Sequence, residues 1–367
     1  MPKQAYIIGL TGNIASGKSF VRQVLQNYGA LTIDADLLAQ RTYQQNSPAY
    51  AEIITEFGPE ILGPDSEIDR RELGRIVFSD PGRLRALEEI VHPHTLEALE
   101  QVLLKARTPV ILIEMIKLFE IGMDKLCDSI WICTASDQAR AERLIVNRHL
   151  STSEALERIN SQPPQPGLLD KADAVINTEG TYTQTCEQID QNLNKLMIPV
   201  NRDAKWLGDG MWVKPVLLED VVQAAEFLST IQSRSLQVEE VFSTLGSTSL
   251  MGLWHHRELV GLINWKIANF ICVLIKMDLL PSTIQPKTPS ILRLFKSLGQ
   301  KHLCEILAIS ADSGLEMDGQ RNFTYTMPAM MTNRSWQSLI TNLIPQDTPV
   351  YIRELPMCGR IVPTIEK

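Results

Sequence analysis

Eight residues near the start of the chain, Gly12-Asn13-Ile14-Ala15-Ser16-Gly17-Lys18-Ser19, follow the template glycine, four residues, glycine, lysine, serine or threonine. A backbone folded through such a stretch turns successive N–H groups inward and makes a nest for anions. A helix beginning at its end adds the pull of its dipole. Lys18 would then reach the β- and γ-phosphates of a nucleoside triphosphate, and the Ser19 hydroxyl would ligate Mg²⁺. The chemistry is binding of ATP or GTP and handling of its terminal phosphoryl group. A second set of groups follows at Asp34-Ala35-Asp36. A carboxylate there can take a proton from an acceptor hydroxyl, and the same pair can instead cap the next helix. The loop alone does not separate a kinase from a GTPase, a motor or a transport ATPase.

The loop needs a strand before it and a helix after it. Ala5-Tyr6-Ile7-Ile8-Gly9-Leu10 is apolar and β-prone, and Val21, Val24, Leu25 and Tyr28 recur at helical spacing. Leu31-Thr32-Ile33 reads as a second strand, expected beside the first, with its Asp-x-Asp end next to the loop. Helical patterning follows through Ala49–Phe57 and through Leu73, Ile76, Val77, Leu84, Leu87 and Ile90. Breaks are expected at Ser79-Asp80-Pro81 and at His92-Pro93. Pro109–Glu114, Ser129–Thr134 and Ala174–Asn177 read as further strands. Ser151-Thr152-Ser153-Glu154 is a capping-box signature for a helix to about Gln162, broken by Pro163–Gly167, and Tyr182–Leu196 is a last helix. Alternating strands and helices make an α/β, doubly wound parallel sheet, with ligands at the carboxyl ends of its strands.

At 367 residues the chain allows two or three domains. A net charge of −8 disfavours nucleic acid and anionic membrane as partners, and no apolar run approaches spanning length. The N-terminus runs directly into strand and loop, so no leader is expected. Cys127, Cys133, Cys186, Cys272, Cys304 and Cys358 form no C-x-x-C pair. They read as reduced thiols of a cytoplasmic protein. No oligomeric state is implied. Ile198–Asp203 reads as a linker, after which the pattern changes. Asp220–Ile231 is helical and three β-runs follow in succession, Ser249–His255, Leu259–Ile267 and Phe270–Met277. Consecutive strands imply an antiparallel sheet in an α+β domain. The division expected is a first domain over 1–197, a linker over 198–211 and a second domain over 212–367.

Several short pieces, in order, carry a resemblance. They are Gly9-Leu10-Thr11-Gly12 with Gly17-Lys18-Ser19, Ile33-Asp34-Ala35-Asp36, Asp69-Arg70-Arg71-Glu72-Leu73, and Val77-Phe78-Ser79-Asp80-Pro81. His92-Pro93, Arg158-Ile159 with Gln162, and Ala172-Asp173-Ala174-Val175-Ile176-Asn177 complete the set. Over about half the chain this resembles dephospho-CoA kinase. The resemblance implies a P-loop kinase with helical substrate and lid insertions, moving the γ-phosphoryl of ATP to the ribose 3′-hydroxyl of dephospho-CoA with Mg²⁺. It implies Asp36 as general base, with Asp34 supporting it or the metal. Gly12 through Ser19, with Arg143 and Arg148 of a lid, would hold ATP. Arg70, His92, Lys117 and Arg158 would serve the substrate side, Arg158 from the same lid as Arg143 and Arg148, and Ser19 the metal. This chain departs from the family at Asn13 and Ala15, where the loop is usually glycine, and at Phe20, where it is usually threonine. It also reads Ile116-Lys117-Leu118-Phe119-Glu120 where the family carries Pro-Leu-Leu-x-Glu. Two other classes stay open: another small-molecule P-loop kinase, and a nucleotide-binding regulator acting through the second half.

The second half resembles the general N-acetyltransferase (GNAT) fold in its order. A strand around Val213–Leu218 and helices to Leu245 lead to the three β-runs, a helix at Pro289–His302 and a strand at Cys304–Ile309. That fold holds a CoA pyrophosphate with a glycine-rich loop. The corresponding turn here, 281–289, has no glycine, and Pro281, Pro286 and Pro289 lack N–H donors. The expectation is an acetyltransferase-like domain without that activity. The alternative is a product-sensing site built from the side chains of Lys287 or Arg293.

Overall fold

A computed structural model describes residues 5–355 apart from 163–165, 199–203, 209, 257, 282, 284–285, 318–319, 321–322, 332–336, 338–339 and 346. In the first half, β1 (Tyr6–Thr11) leads through the loop into α1 (Lys18–Asn27), followed by β2 (Leu31–Asp34), α2 (Ala35–Thr42) and α3 (Pro48–Phe57). Next come α4 (Arg70–Ser79), α5 (Pro81–Lys105), β3 (Val110–Glu114), β4 (Ser129–Thr134), α6 (Asp137–Arg148) and α7 (Thr152–Asn160). The half closes with α8 (Pro166–Leu169), β5 (Ala174–Asn177) and α9 (Tyr182–Lys195). The sheet is parallel in the order β2-β3-β1-β4-β5.

That order corrects the expected neighbour of β1. The second strand is separated from it by β3, so the residue beside the loop strand's end is Glu114, in register with Leu10 on one side and Asp34 on the other. The reason lies in the patterns. All five residues of Val-Ile-Leu-Ile-Glu are buried, as an inner parallel strand requires, whereas Leu-Thr-Ile-Asp alternates buried with half-buried positions and suits the edge. A second correction concerns His92-Pro93, which does not end a helix: Pro93 lies inside α5. A proline in a helix interior costs about 3 kcal/mol. Val91, Leu99 and Val102 are buried on either side of it, and each such side chain stabilises by roughly 1.5–3 kcal/mol, so packing outweighs the break.

The second half contains β6 (Lys205–Gly208), β7 (Met211–Pro215), α10 (Val221–Gln232), α11 (Val238–Ser247), β8 (Ser249–His255), β9 (Glu258–Ala268) and β10 (Ile271–Leu279). It continues with α12 (Thr288–Lys301), β11 (Ile306–Ser310), β12 (Thr324–Thr326) and β13 (Val350–Glu354). These strands form one sheet, β12-β13-β11-β10-β9-β8-β7-β6, antiparallel except for β10 against β11. The expected succession of strand, helices, three β-runs, helix and strand is present. In the turn at 281–289, residues 282, 284 and 285 lie outside the described set. The stretch expected as linker contains the paired strand β6, and Ile198 is buried in the core. Among the described residues no helix is long and apolar enough to cross a membrane. Cys127, Cys133, Cys186, Cys272 and Cys304 are free thiols, and Cys358 lies outside the described residues.

The halves share a core. Phe20, Val21, Val24 and Leu25 of α1 pack in one cluster with Ile189 and Leu193 of α9 and with Val221, Phe242, Leu245, Leu250 and Leu262 of the second half. Polar groups at the seam are paired too. Gln23 Nε2 donates to Ser249 Oγ at 2.8 Å and Asn27 Nδ2 to the Val216 carbonyl at 2.6 Å. The Glu239 carboxylate accepts from the Tyr182 N–H and the Thr183 hydroxyl. Phe20, a departure from the family, is explained here: its ring lies 4.9 Å from that of Tyr182 and seats against Gly246 of α11. A Cβ on Gly246 would fall 2.6 Å from the Phe20 ring. Gly246→Ala should therefore overpack the seam and cost about 1–3 kcal/mol, seen as a lower melting temperature. An unchanged melting temperature would mean that the seam is loose.

Candidate active site

The loop between β1 and α1 is a cradle that tolerates little substitution. Gly12, Ala15 and Gly17 have positive φ of 141°, 59° and 86°. A Cβ on Gly12 would meet the Cys133 carbonyl oxygen at 2.4 Å, and one on Gly17 would meet Thr178 at 2.7 Å. Ala15 holds a left-handed conformation that costs an L-residue roughly 1–2 kcal/mol, and it is held from outside. Arg143 donates to the Ala15 carbonyl at 3.0 Å, to the Thr178 hydroxyl at 3.0 Å and to the Thr178 carbonyl. Arg140 donates to the Ile14 carbonyl at 2.9 Å and to Gln162 at 3.1 Å, and Gln162 accepts the Ile14 N–H at 2.7 Å. Thr178 donates to the Ser16 carbonyl at 2.8 Å. These contacts, one of them on the Ile14 N–H itself, hold the loop's shape from outside. The Ser16 hydroxyl is buried with no hydrogen-bond partner, an orphaned donor that a phosphate oxygen would satisfy.

Lys18 is 7% exposed, and its ammonium donates to the carbonyls of Gly12 at 2.7 Å and Asn13 at 3.1 Å. An ammonium has three protons, so one remains for a phosphate. Burial pushes Lys18 below the ordinary lysine value, opposed by the carboxylates of Glu114 and Asp36. Asp36 lies in the first turn of α2, beyond the end of β2. Burial raises its pKa above the ordinary carboxylate value and the neighbouring Asp34 raises it further, while Lys18, the Ile116 backbone and Lys117 oppose. A carboxyl so poised is suited to take a proton. Asp34 has another task as well: it is the N-cap of α2, accepting the Leu37 N–H at 2.9 Å. Burial likewise raises Glu114, against the pull of Arg22, whose Nε lies 2.6 Å from Glu114 Oε2. Ser19, in the first turn of α1, is exposed. Among the described residues no three His, Cys, Asp or Glu side chains converge to hold a metal by themselves.

The helical insertion supplies the other side. Lys117 Nζ lies 2.6 Å from Glu88 Oε1 on α5. His92, one turn further along α5, is half-buried and held below its ordinary pKa mainly by burial, with Lys117 adding to the effect and Glu88 opposing. Lys117 thus connects His92 electrostatically with Asp36. Arg70, exposed at the start of α4, donates to the Gln40 side chain. Arg148 is exposed at the end of α6, and its charge reaches Lys18. Arg158 is exposed on α7, where its charge acts on Glu154. The structure thus brings together Gly12 through Ser19, Asp34, Asp36, Lys117 and His92. Arg143 is engaged with the Ala15 carbonyl of the loop and with Thr178, and Arg158 is not drawn into the cluster. Arg22, Arg140 and Thr178 were not singled out from the sequence. Arg22 had a signal, its i,i+4 spacing from Lys18, which puts both cations on one face of the helix.

The sequence profile of the dephospho-CoA kinase family matches residues 6–184. A dephospho-CoA kinase of Symbiobacterium thermophilum is 39% identical over 188 residues, 50% of this chain and 78% of that one. One from Moorella thermoacetica is 40% identical over 184 residues, 49% of this chain and 87% of that one. A solved Thermus thermophilus protein is 33% identical and covers 53% of this chain and 97% of its own, with a TM-score of 0.47. A probable acetyltransferase of known structure is 13% identical and covers 41% of this chain and 97% of its own, with a TM-score of 0.30.

Proposed function

This chain belongs to the dephospho-CoA kinase family, and we propose that its loop and carboxylate cluster transfer the γ-phosphoryl group of ATP to the ribose 3′-hydroxyl of dephospho-CoA. The observation that carries this reading is the glycine cradle with Lys18 buried at its end, its ammonium on the Gly12 and Asn13 carbonyls and the Asp36 carboxylate near enough for its charge to act on it. The loop N–H groups and the Ser16 hydroxyl hold the β- and γ-phosphates. Lys18 donates a hydrogen bond from its remaining N–H to their oxygens and keeps its charge. Asp36 accepts the proton of the 3′-hydroxyl as that oxygen attacks phosphorus. ADP leaves with the negative charge, which the loop and Lys18 stabilise. Asp36 then returns its proton to solvent.

Mg²⁺, held by the Ser19 hydroxyl and the nucleotide's own phosphates, would neutralise charge between them. Lys117 and Arg70 offer cations to the acceptor's diphosphate, and His92, kept neutral, offers it a hydrogen bond. Arg148 and Arg158 belong to the lid, which excludes water from the phosphoryl group. Arg143 acts through the loop it holds. The C-terminal half is assigned no acetyl transfer, because the prolines of 281–289 supply no N–H groups for a pyrophosphate.

ADP release measured with dephospho-CoA and with a panel of nucleosides tests the acceptor. Turnover is expected with dephospho-CoA, and turnover with a nucleoside alone would overturn the reading. The pH dependence tests the base. An ordinary aspartate titrates near 3.9 and Asp36 is raised, so the acid limb of kcat/KM should lie above about pH 4. Activity is lost as pH falls through that limb. A profile flat down to pH 4 would remove Asp36 from the role.

A further inference from the structure

We propose that the C-terminal half is a brace for the phosphoryl-transfer site, gripping both helices that carry its reacting groups, with Arg41 and Glu305 as positioning residues for Asp36. The inference rests on the kinase reading above and adds a role for the half that reading leaves idle. Lys18 and Ser19 open α1, and Asp36 lies in the first turn of α2. Donor and acceptor groups therefore stand on separate helices, and phosphoryl transfer depends on the distance between them.

Each helix is held at its far end by the second half. On α1, Gln23 and Asn27 bond to Ser249 and to the Val216 carbonyl, on the face turned away from Lys18 and Arg22. On α2, Arg41 in the last turn is fastened more firmly. Its Nη2 lies 2.6 Å from Glu305 Oε1, with side chains only 10% and 8% exposed. Its Nη1 donates to the Asn269 carbonyl, and its guanidinium stands 5.5 Å from the Phe270 ring centre. Asn269 and Phe270 form the turn between β9 and β10, both with positive φ. Phe270 and Leu303 enter the first half's core beside Leu31, Ile33, Leu38 and Leu99. Glu305 is anchored in turn, its N–H donating to the Phe270 carbonyl and its carbonyl accepting from Leu355, each at 2.7 Å.

The two grips are joined by one hydrogen-bonded sheet, since β8, β9, β10 and β11 are consecutive neighbours. That sheet fixes the span from α1 to α2. A buried ion pair adds little net stability over an apolar pair of the same size, and a fork held by a carboxylate, a carbonyl and a ring fixes orientation. Position is what Arg41 and Glu305 provide.

Steady-state kinetics on full-length Glu305→Gln and Ser249→Ala, with melting temperatures taken alongside, test this at a temperature where both variants are folded. Glu305→Gln should lower kcat with dephospho-CoA about tenfold or more while the KM for ATP changes less than about twofold, the pattern of a displaced Asp36. Ser249→Ala loosens α1 and should raise the KM for ATP. Lower melting temperatures with both kinetic constants unchanged would make the contacts simple adhesion and overturn the brace. If Glu305→Gln does not fold, Glu305→Asp, with the charge kept and the reach shortened, is read for the same fall in kcat. Failure of the kinase reading is separate, because the unaltered protein would then not phosphorylate dephospho-CoA at all.

Discussion

Asp36→Asn lowers kcat for dephospho-CoA by about 10²–10⁴-fold, the range for loss of a positioned general base. The amide keeps the shape of the carboxyl and cannot take the acceptor's proton. ATP affinity should change little, because the nucleotide is held by the loop and Lys18. A second readout moves the opposite way. The folded-state pKa of Asp36 is raised, so the group favours folding when protonated and loses that contribution as pH rises through its folded value. At neutral pH the ionised carboxylate is half-buried beside Asp34 at a cost that the neutral amide avoids. The variant should therefore melt at a higher temperature while being almost inactive. Turnover equal to that of the unaltered protein would remove Asp36 from the base role, and a lower melting temperature would mean that the carboxylate is held by its neighbours and not strained.

Lys18→Ala removes one charged donor from the transferring phosphoryl group, worth about 10²–10³-fold in kcat in comparable sites. Its effect spreads, since the ammonium is also the donor to the Gly12 and Asn13 carbonyls and a counter-charge to Glu114 and Asp36. Without it the Asp36 carboxyl should titrate higher still, moving the acid limb of the pH profile upward. Single-turnover rates at saturating ATP measure the first effect, and the pH profile the second. Retention of rate within about threefold of the unaltered protein would contradict the role, being far short of the loss expected for a phosphate-side donor.

The loop and its strand and helix were legible because their chemistry is local: glycines where φ is positive, a lysine at the helix start, apolar runs on either side. Most strands could be read for the same reason. Sheet order is not local. Both β2 and β3 end in a carboxylate, and only their burial in the assembled sheet decides which lies against β1. Pro93 misled because a proline weighs heavily in a short window and the packing that overrides it comes from elsewhere in the fold. The resemblance implies Arg143 as a lid residue, and its spacing alone does not show what it touches. Its partners, Ala15 and Thr178, lie far from it in sequence. Phe20 shows the same limit from the other direction: it departs from the family at the loop because it belongs to the seam with Gly246 and Tyr182, a surface that the kinase half alone does not possess. Lys205–Gly208, inside the stretch expected as a linker, is a short strand at a sheet edge, with little periodicity to mark it.

The central claim is that the phosphoryl group of ATP arrives on the ribose 3′-oxygen of dephospho-CoA. Phosphorus NMR of the product formed by the full chain with ATP, Mg²⁺ and dephospho-CoA tests it most directly. The account predicts a new phosphomonoester signal coupled to the ribose 3′ proton, appearing in step with ADP. ADP with free phosphate alone, or a phosphomonoester at any other position, would contradict it.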